Sequence, residues 1–300
     1  MAKVCKSCQE PLTITLDPED SVEETTNPQT VPDDLILPCG CHFHWQCLLE
    51  ESSHVTTALT CPACNTHLPT NVPAASGAGS SSSSSSANVQ PTQPTQPTPH
   101  IPTHYTNEGG AQPNLDIYPT LLEESYLSAH PEARPARAFH TLAAEGQVQG
   151  MVELLQSLES NPHGSDDDDD EDNEGKDDEY DQDDTDIDTL NAAQLLAWRD
   201  PLNGLRSALH VALEAQQEEA VWLLLWLGSG ARAEDFPPAV VQVVESTLEL
   251  ARLLFLPEDE RLPGTEDVRT VRDERGRTAG DVCLELGGPW VRLVEGGLFQ

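Results

Sequence analysis

The chain has 300 residues, with 52 Asp or Glu against 15 Lys or Arg, for a formal net charge of -37. An acidic excess of that size repels phosphate backbones and anionic lipid surfaces, which argues against nucleic-acid and membrane partners and points to proteins. The most apolar run, Ala220 to Gly228, is far shorter than the roughly 20 residues a membrane span needs. The opening MAKVCKSCQEPL has no apolar leader core, so a cytoplasmic or nuclear protein is expected, not a secreted one.

Seven of the eight cysteines precede residue 65, which marks residues 1–70 as a cysteine-dense module. In a reducing compartment such clusters are metal ligands more often than disulfides. The candidates in order are Cys5 and Cys8, Cys39 and Cys41, His44 and Cys47, then Cys61 and Cys64. Eight ligands make two tetrahedral shells. Thiolates are soft donors suited to zinc, and closed four-ligand shells are structural. A module this small has a thin core, so two Zn2+ are expected to supply much of its folding free energy, about 10 kcal/mol per site. No nucleophile–base constellation is legible, so no catalytic residue is assigned.

This ligand run resembles the RING finger family over about residues 1–70. The resemblance implies a small α+β cross-brace. Cys5, Cys8, His44 and Cys47 would hold the first zinc, and Cys39, Cys41, Cys61 and Cys64 the second. His42 competes with Cys41 for the fourth ligand, and the family's usual gap of two residues before the fifth ligand selects Cys41. His42, Trp45, His54 and His67 are then packing or surface residues. RING modules dock a ubiquitin-conjugating enzyme, and the resemblance places Ser7, Leu48 and Pro62 on that docking surface. Ser7 stands where the family has an isoleucine or leucine, Glu50 and Glu51 where it often has tryptophan, and Asn65 where it has a cationic residue. The implied function is a RING-type ubiquitin-protein ligase, a transferase acting through its partner. The alternative is a non-catalytic, zinc-stabilised adaptor.

Residues 71–113 are Ser-rich, then Pro/Thr/Gln-rich, and read as a disordered linker. Helical apolar spacing resumes near Asn114. A block from Asp166 to Asp188 holds 16 Asp or Glu among its 23 residues and reads as a disordered insertion spanning about 161–189. It is either a solvated spacer or a lure for a basic partner. Amphipathic helical patterning returns from Leu190.

Within 114–300 two stretches share a pattern. Ser207, Ala208, Leu209, His210 and Ala212, closed by Gly230-Ala231, are similar to the ankyrin repeat. Phe139, His140, Ala143 and Gly146 match it less fully, and Asp273 to Gly287, with Asp281 in the histidine's place, gives a third echo. The anchors His140, His210 and Asp281 lie 70 and 71 residues apart, against about 33 for one repeat. Each gap therefore has room for an insertion or a degenerate extra repeat. The resemblance implies an all-α ankyrin-like domain that holds an unknown protein client. His140 and His210 become turn-forming residues, Cys283 a core residue, and Trp222 and Trp226 core or an exposed stripe.

Overall fold

The computed structural model describes residues 3–15, 30–69, 99–160, 190–247, 252 and 263–299. The expected acidic insertion and most of the expected linker lie outside these residues. The chain divides into two compact units, Met1–Ala129 and His130–Gln300. Among the described residues no helix is long and apolar enough to cross a membrane.

The first unit is mixed α/β. A two-stranded sheet pairs β1 (Thr13–Thr15) with β2 (Thr30–Pro32), antiparallel. A four-stranded antiparallel sheet runs β4-β3-β5-β6, from β3 (Asp34–Ile36), β4 (His42–Phe43), β5 (Pro102–Asn107) and β6 (Gly110–Asp116). Helices α1 (Trp45–Glu50) and α2 (Ser52–Ala58) follow β4, and α3 (Tyr118–Ala129) follows β6 and packs on both.

This corrects the expected boundary at residue 70. Residues 102–113 are not linker, because β5 pairs with β3 in the register Leu35 to Tyr105 and Ile36 to His104. Ile101, Ile117, Tyr118 and Leu121 share one core with Leu35, Phe43, Leu48 and Val55. The short strand β3 would otherwise expose one edge. The hairpin closes through Glu108 and Gly109, where Asn107 Oδ1 accepts the Gly109 N–H at 2.9 Å and Gly110 takes a φ of 108°.

The second unit is helical in its described residues. Three helix pairs make up most of it: α4 (Arg134–Glu145) with α5 (Val148–Ser160), α7 (Ala208–Glu214) with α8 (Glu218–Gly228), and α10 (Ala279–Leu286) with α11 (Pro289–Glu295). Helix α4 packs on α7, and α7 packs on α10, so the pairs stack in a row. The expected gaps each hold one helix among the described residues, α6 (Ala192–Ala197) and α9 (Pro238–Thr247).

Each pair turns through left-handed backbone, at Gly146, Gln216 and Gly287. The first two turns are equivalent 70 residues apart. Gln147 N–H reaches Leu142 O and Gln217 N–H reaches Ala212 O, both at 2.9 Å, closing the same helix terminus. Gln217 also donates to Ala144 O at 3.0 Å, tying the second pair to the first. Ahead of α7 and α10 the loops match too. Asp200 N–H donates to Arg206 O at 2.9 Å, and Asp273 N–H to Arg277 O at 3.0 Å. Both carboxylates brace their own turns, and both pair with arginine, Asp200 with Arg137 and Asp273 with Arg277.

Beyond its first two residues helix α8 is apolar all round and buried, from Ala220 to Gly228, the pattern of a helix inside a stack. Trp222 and Trp226 are 8% and 6% exposed, and Cys283 is fully buried, so all three are core.

The two histidines of the repeat pattern part company. His210 sits at the third position of α7, and its Nδ1 lies 2.8 Å from the Ser207 hydroxyl that precedes the helix. Its Nε2 meets Arg277 O at 3.0 Å, so it also ties the second pair to the third. Thr278 and Asp281 repeat this capping box on α10. His140 was expected to form a turn and does not. Helix α4 starts at Arg134, six residues earlier, which places His140 mid-helix. Its ring lies edge-on to Trp198 at 4.9 Å, and among the described residues neither nitrogen has a hydrogen-bond partner of normal geometry.

Burial, reinforced by the charge of Arg137, lowers the His140 pKa to about 3. The unfolded chain therefore binds a proton here, near pH 6.5, that the folded chain refuses. The stabilising effect of a neutral His140 is complete above about pH 6.5 and is lost as pH falls toward 3. We expect His140→Leu to flatten the acid side of the stability profile by about one proton. Urea denaturation at stepped pH checks this, followed by tryptophan fluorescence, since only Trp45 of the five tryptophans lies outside the second unit.

Candidate metal centre

Two clusters form in the first unit. Cys5, Cys8, His44 and Cys47 make one; Cys39, Cys41, Cys61 and Cys64 make the other. Within each, the ligand atoms all lie within 4.8 Å of one another. The sets alternate along the chain, so each cluster draws from two separated segments. Each can hold a metal ion.

Local backbone makes the Cys-x-x-Cys pairs converge, and both pairs do so identically. Gln9 N–H returns to Cys5 O at 3.1 Å and Asn65 N–H to Cys61 O at 2.8 Å. Cys5 N–H donates to Glu10 O and Cys61 N–H to Thr66 O, each at 2.9 Å. Gln9 and Asn65 both take left-handed backbone, φ 65° and 56°. Asparagine tolerates that region better than most residues, which gives Asn65 a structural reason to follow Cys64. Cys39 and Cys41 flank Gly40, whose φ of 81° lets the chain turn back into β4.

The donor set fits zinc. With Zn–S about 2.3 Å and Zn–N about 2.0 Å, tetrahedral ligands put sulfur and nitrogen about 3.6 Å apart. His44 Nδ1 lies 3.3 Å from Cys8 Sγ and 3.7 Å from Cys47 Sγ. The other ring nitrogen, Nε2, meets Pro11 O at 2.8 Å, which orients the imidazole and leaves Nδ1 for the metal. His42 is turned elsewhere, with its Nδ1 2.6 Å from Asp34 Oδ1. Cys41, not His42, lies with Cys39, Cys61 and Cys64 in the second cluster.

Electrostatics say why a cation belongs here. Burial pushes the Cys47 thiol up to about 12, with Cys5 and Cys8 adding to it. Burial also works against ionisation of Cys5, but backbone N–H groups of His44, Cys8 and Ser7 outweigh it and bring that thiol down to about 7. In the second cluster Cys61 rises to about 11, chiefly by burial, and Cys41 rises further, while Thr66 draws Cys64 down to about 6. Without metal the thiolates of a cluster oppose one another; a divalent ion reverses the sign of that interaction.

Sequence reasoning missed two residues that hold the first cluster in place. Asp33 is 2% exposed, and both its carboxylate oxygens accept the Trp45 N–H at 3.2 Å, at the start of the helix that carries Cys47. Tyr105, from β5, donates to the same carboxylate at 3.0 Å, and its ring packs on Trp45 at 4.9 Å. Thr103, Tyr105 and the Asn-Glu-Gly-Gly turn were the available signal, obscured by the proline-rich run before them.

Of the three expected docking residues, one is buried. Ser7 is exposed and Pro62 half-buried. Leu48 is 1% exposed and lies in the core with Leu35 and Val55, so the expectation that it meets a partner is corrected. Helix α1 is short and amphipathic, and it turns Leu48 inward while Gln46 and Glu50 face out.

We expect the intact chain to bind two zinc ions, Cys47→Ser to bind one, and His42→Ala to keep both, counted by metal analysis after dialysis. Tyr105→Phe should keep both ions and lower the stability of the first unit by about 1–2 kcal/mol, since it removes one hydrogen bond to a buried carboxylate; chelator-induced unfolding checks this. Compared with protein-family models, curated proteins and solved structures, the chain matches none.

Proposed function

We propose that the chain is a RING-type ubiquitin-protein ligase. Its zinc-bearing unit recruits a ubiquitin-charged conjugating enzyme, and its helical unit holds a protein client. The observation that carries this reading is the interleaving of the two clusters: first and third ligand pairs in one, second and fourth in the other. That alternation agrees with the cross-brace pairing the sequence resemblance implies. The zincs are structural, since four protein ligands close each shell and leave no open position for substrate. The chain's own residues then contribute by presenting a rigid surface. Pro62, between Cys61 and Cys64, and the loop of Ser7, between Cys5 and Cys8, stand on the two matching turns.

The helical unit supports the second half of the reading. Three stacked helix pairs with the Ser207–His210 and Thr278–Asp281 caps are similar to ankyrin repeats, which bind other proteins along an extended face.

A second reading is a zinc-stabilised adaptor without ligase activity. Ser7 and the inward turn of Leu48 favour it, because both reduce the apolar area a conjugating enzyme could bury.

A single-turnover discharge assay separates the two. The whole chain, loaded with two zincs, is mixed with a panel of ubiquitin-charged conjugating enzymes and free lysine. The ligase reading expects faster discharge from at least one enzyme, abolished by Pro62→Ala and by Cys39→Ser. No acceleration across the panel, with zinc content intact, leaves the adaptor. Self-modification is a poor substitute readout, since the chain has only Lys3, Lys6 and Lys176 to accept ubiquitin.

A further inference from the structure

Helix α8 carries two tryptophans one turn apart, and the chain itself shows what one of them recognises. Trp226 and Trp222 both lean on Phe236, with ring centroids 5.2 Å and 5.8 Å away. Over Trp226 lies the guanidinium of Arg252, 4.3 Å from the ring centroid and 5.7 Å from that of Phe236. Its Nε donates to Trp226 O at 2.9 Å, and a terminal nitrogen donates to Ala231 O. A planar cation on an aromatic face, with fixed acceptors around it, is a recognition mode that arginine fills better than lysine.

One turn earlier, Trp222 borders a cavity of about 530 Å³. Glu218 and Glu219 line it, with Gln217 beside them and Pro237 and Val240 on the apolar side. Among the described residues no arginine or lysine lines this cavity. A second cavity of about 510 Å³ is built from the same stretch of chain, with Phe236, Pro238 and Val241 in its wall. Both volumes fall within the range of ligand clefts, about 300–1,000 Å³. Glu218 and Glu219 stand in the first turn of α8, where carboxylates favour the helix. Glu218 also accepts from Trp222 Nε1 at 3.4 Å. Neither role exhausts them, because a carboxylate has about four acceptor sites.

We propose that the Trp222 cavity binds an arginine side chain of a partner protein, with the neighbouring apolar residue of the same extended segment entering the second cavity. Glu218 and Glu219 supply the counter-charge, the small exposed part of Trp222 forms one wall, and Pro237 and Val240 cover the aliphatic stem. A net charge of -37 draws basic segments toward the chain, and the cavity selects arginine from them. This deepens the client-holding reading of the helical unit and rests on it, but not on ligase activity.

The test uses the whole chain and a fluorescein-labelled peptide of sequence Gly-Ser-Leu-Arg-Leu-Ser-Gly, beside its analogue with citrulline, the neutral isostere of arginine. Binding is read by anisotropy at physiological salt, and the Trp222 indole N–H resonance by NMR, assigned through Trp222→Phe. Saturable binding is expected, weakened at least about tenfold by citrulline and by the double substitution Glu218→Gln, Glu219→Gln, with a shift of the Trp222 signal. Both glutamates are exposed, so the double variant should still fold, with a melting temperature lowered by the lost first-turn charges of α8 and a far-UV spectrum like the wild type's. The proposal is overturned by no binding at millimolar peptide. Equally, it fails if binding survives the double substitution but disappears when residues 161–189 are deleted, which would assign it to the acidic tract. The discharge assay reports separately on the zinc-bearing unit, so failure of one reading is distinguishable from failure of the other.

Discussion

The alternation of cysteine and histidine side chains between two clusters, each able to hold a metal ion, constrains the rest of the first unit. Neither cluster is local. His44 and Cys47 must travel to Cys5 and Cys8, while Cys39 and Cys41 must travel to Cys61 and Cys64. The segment from Leu37 to Cys47 therefore serves both, and its backbone has to be held still. Strand pairing of β3 with β4 does part of this, with Leu37 N–H closing on Cys41 O at 3.0 Å. Asp33 does another part, by fixing the first N–H of α1. Loss of either zinc should loosen the shared segment and so weaken the other site. The two clusters are coupled through backbone, without sharing a side chain.

The second unit is built on the opposite plan. Among the described residues its helix pairs pack on one another in the row through a shared apolar core, and single side chains also reach across. Gln217 reaches Ala144, His210 reaches the backbone of Arg277, and Glu214 meets both Arg206 and Arg277. Such a stack adds stability pair by pair. The mid-helix His140 departs from the pattern and has an energetic signature, a buried ring with unmatched nitrogens where its counterpart His210 has partners at both.

The eight ligands were legible because metal chemistry admits few side chains and the Cys-x-x-Cys turn fixes their spacing. The choice of Cys41 over His42 rested on the resemblance and its usual gap of two residues, and in the structure Asp34 engages His42. The hairpin of β5 and β6 was not legible. Its strands hold Pro102, Pro113 and a run of Thr, Asn and Gln, which read as linker until β3 offers an edge to pair with. Leu48 was misplaced because spacing from a ligand says how far along a helix a residue lies, not which face it occupies. Asp200 and Asp273 went unnoticed, since a lone aspartate before a helix carries no signal until its turn is seen.

The hairpin's position in the chain has a consequence for the order in which the unit is made. The last ligand, Cys64, leaves the ribosome 52 residues before Asp116, the final residue of β6. At about 5–20 residues per second, that is an interval of roughly 3–10 seconds. During it, all eight ligands have been synthesised, but the edge of β3 has no partner and Asp33 lacks its tyrosine. Zinc capture can therefore precede closure of the sheet. A nascent chain in that interval would carry its metals on a scaffold with one open edge, accessible to chaperones, chelators or a second nascent chain.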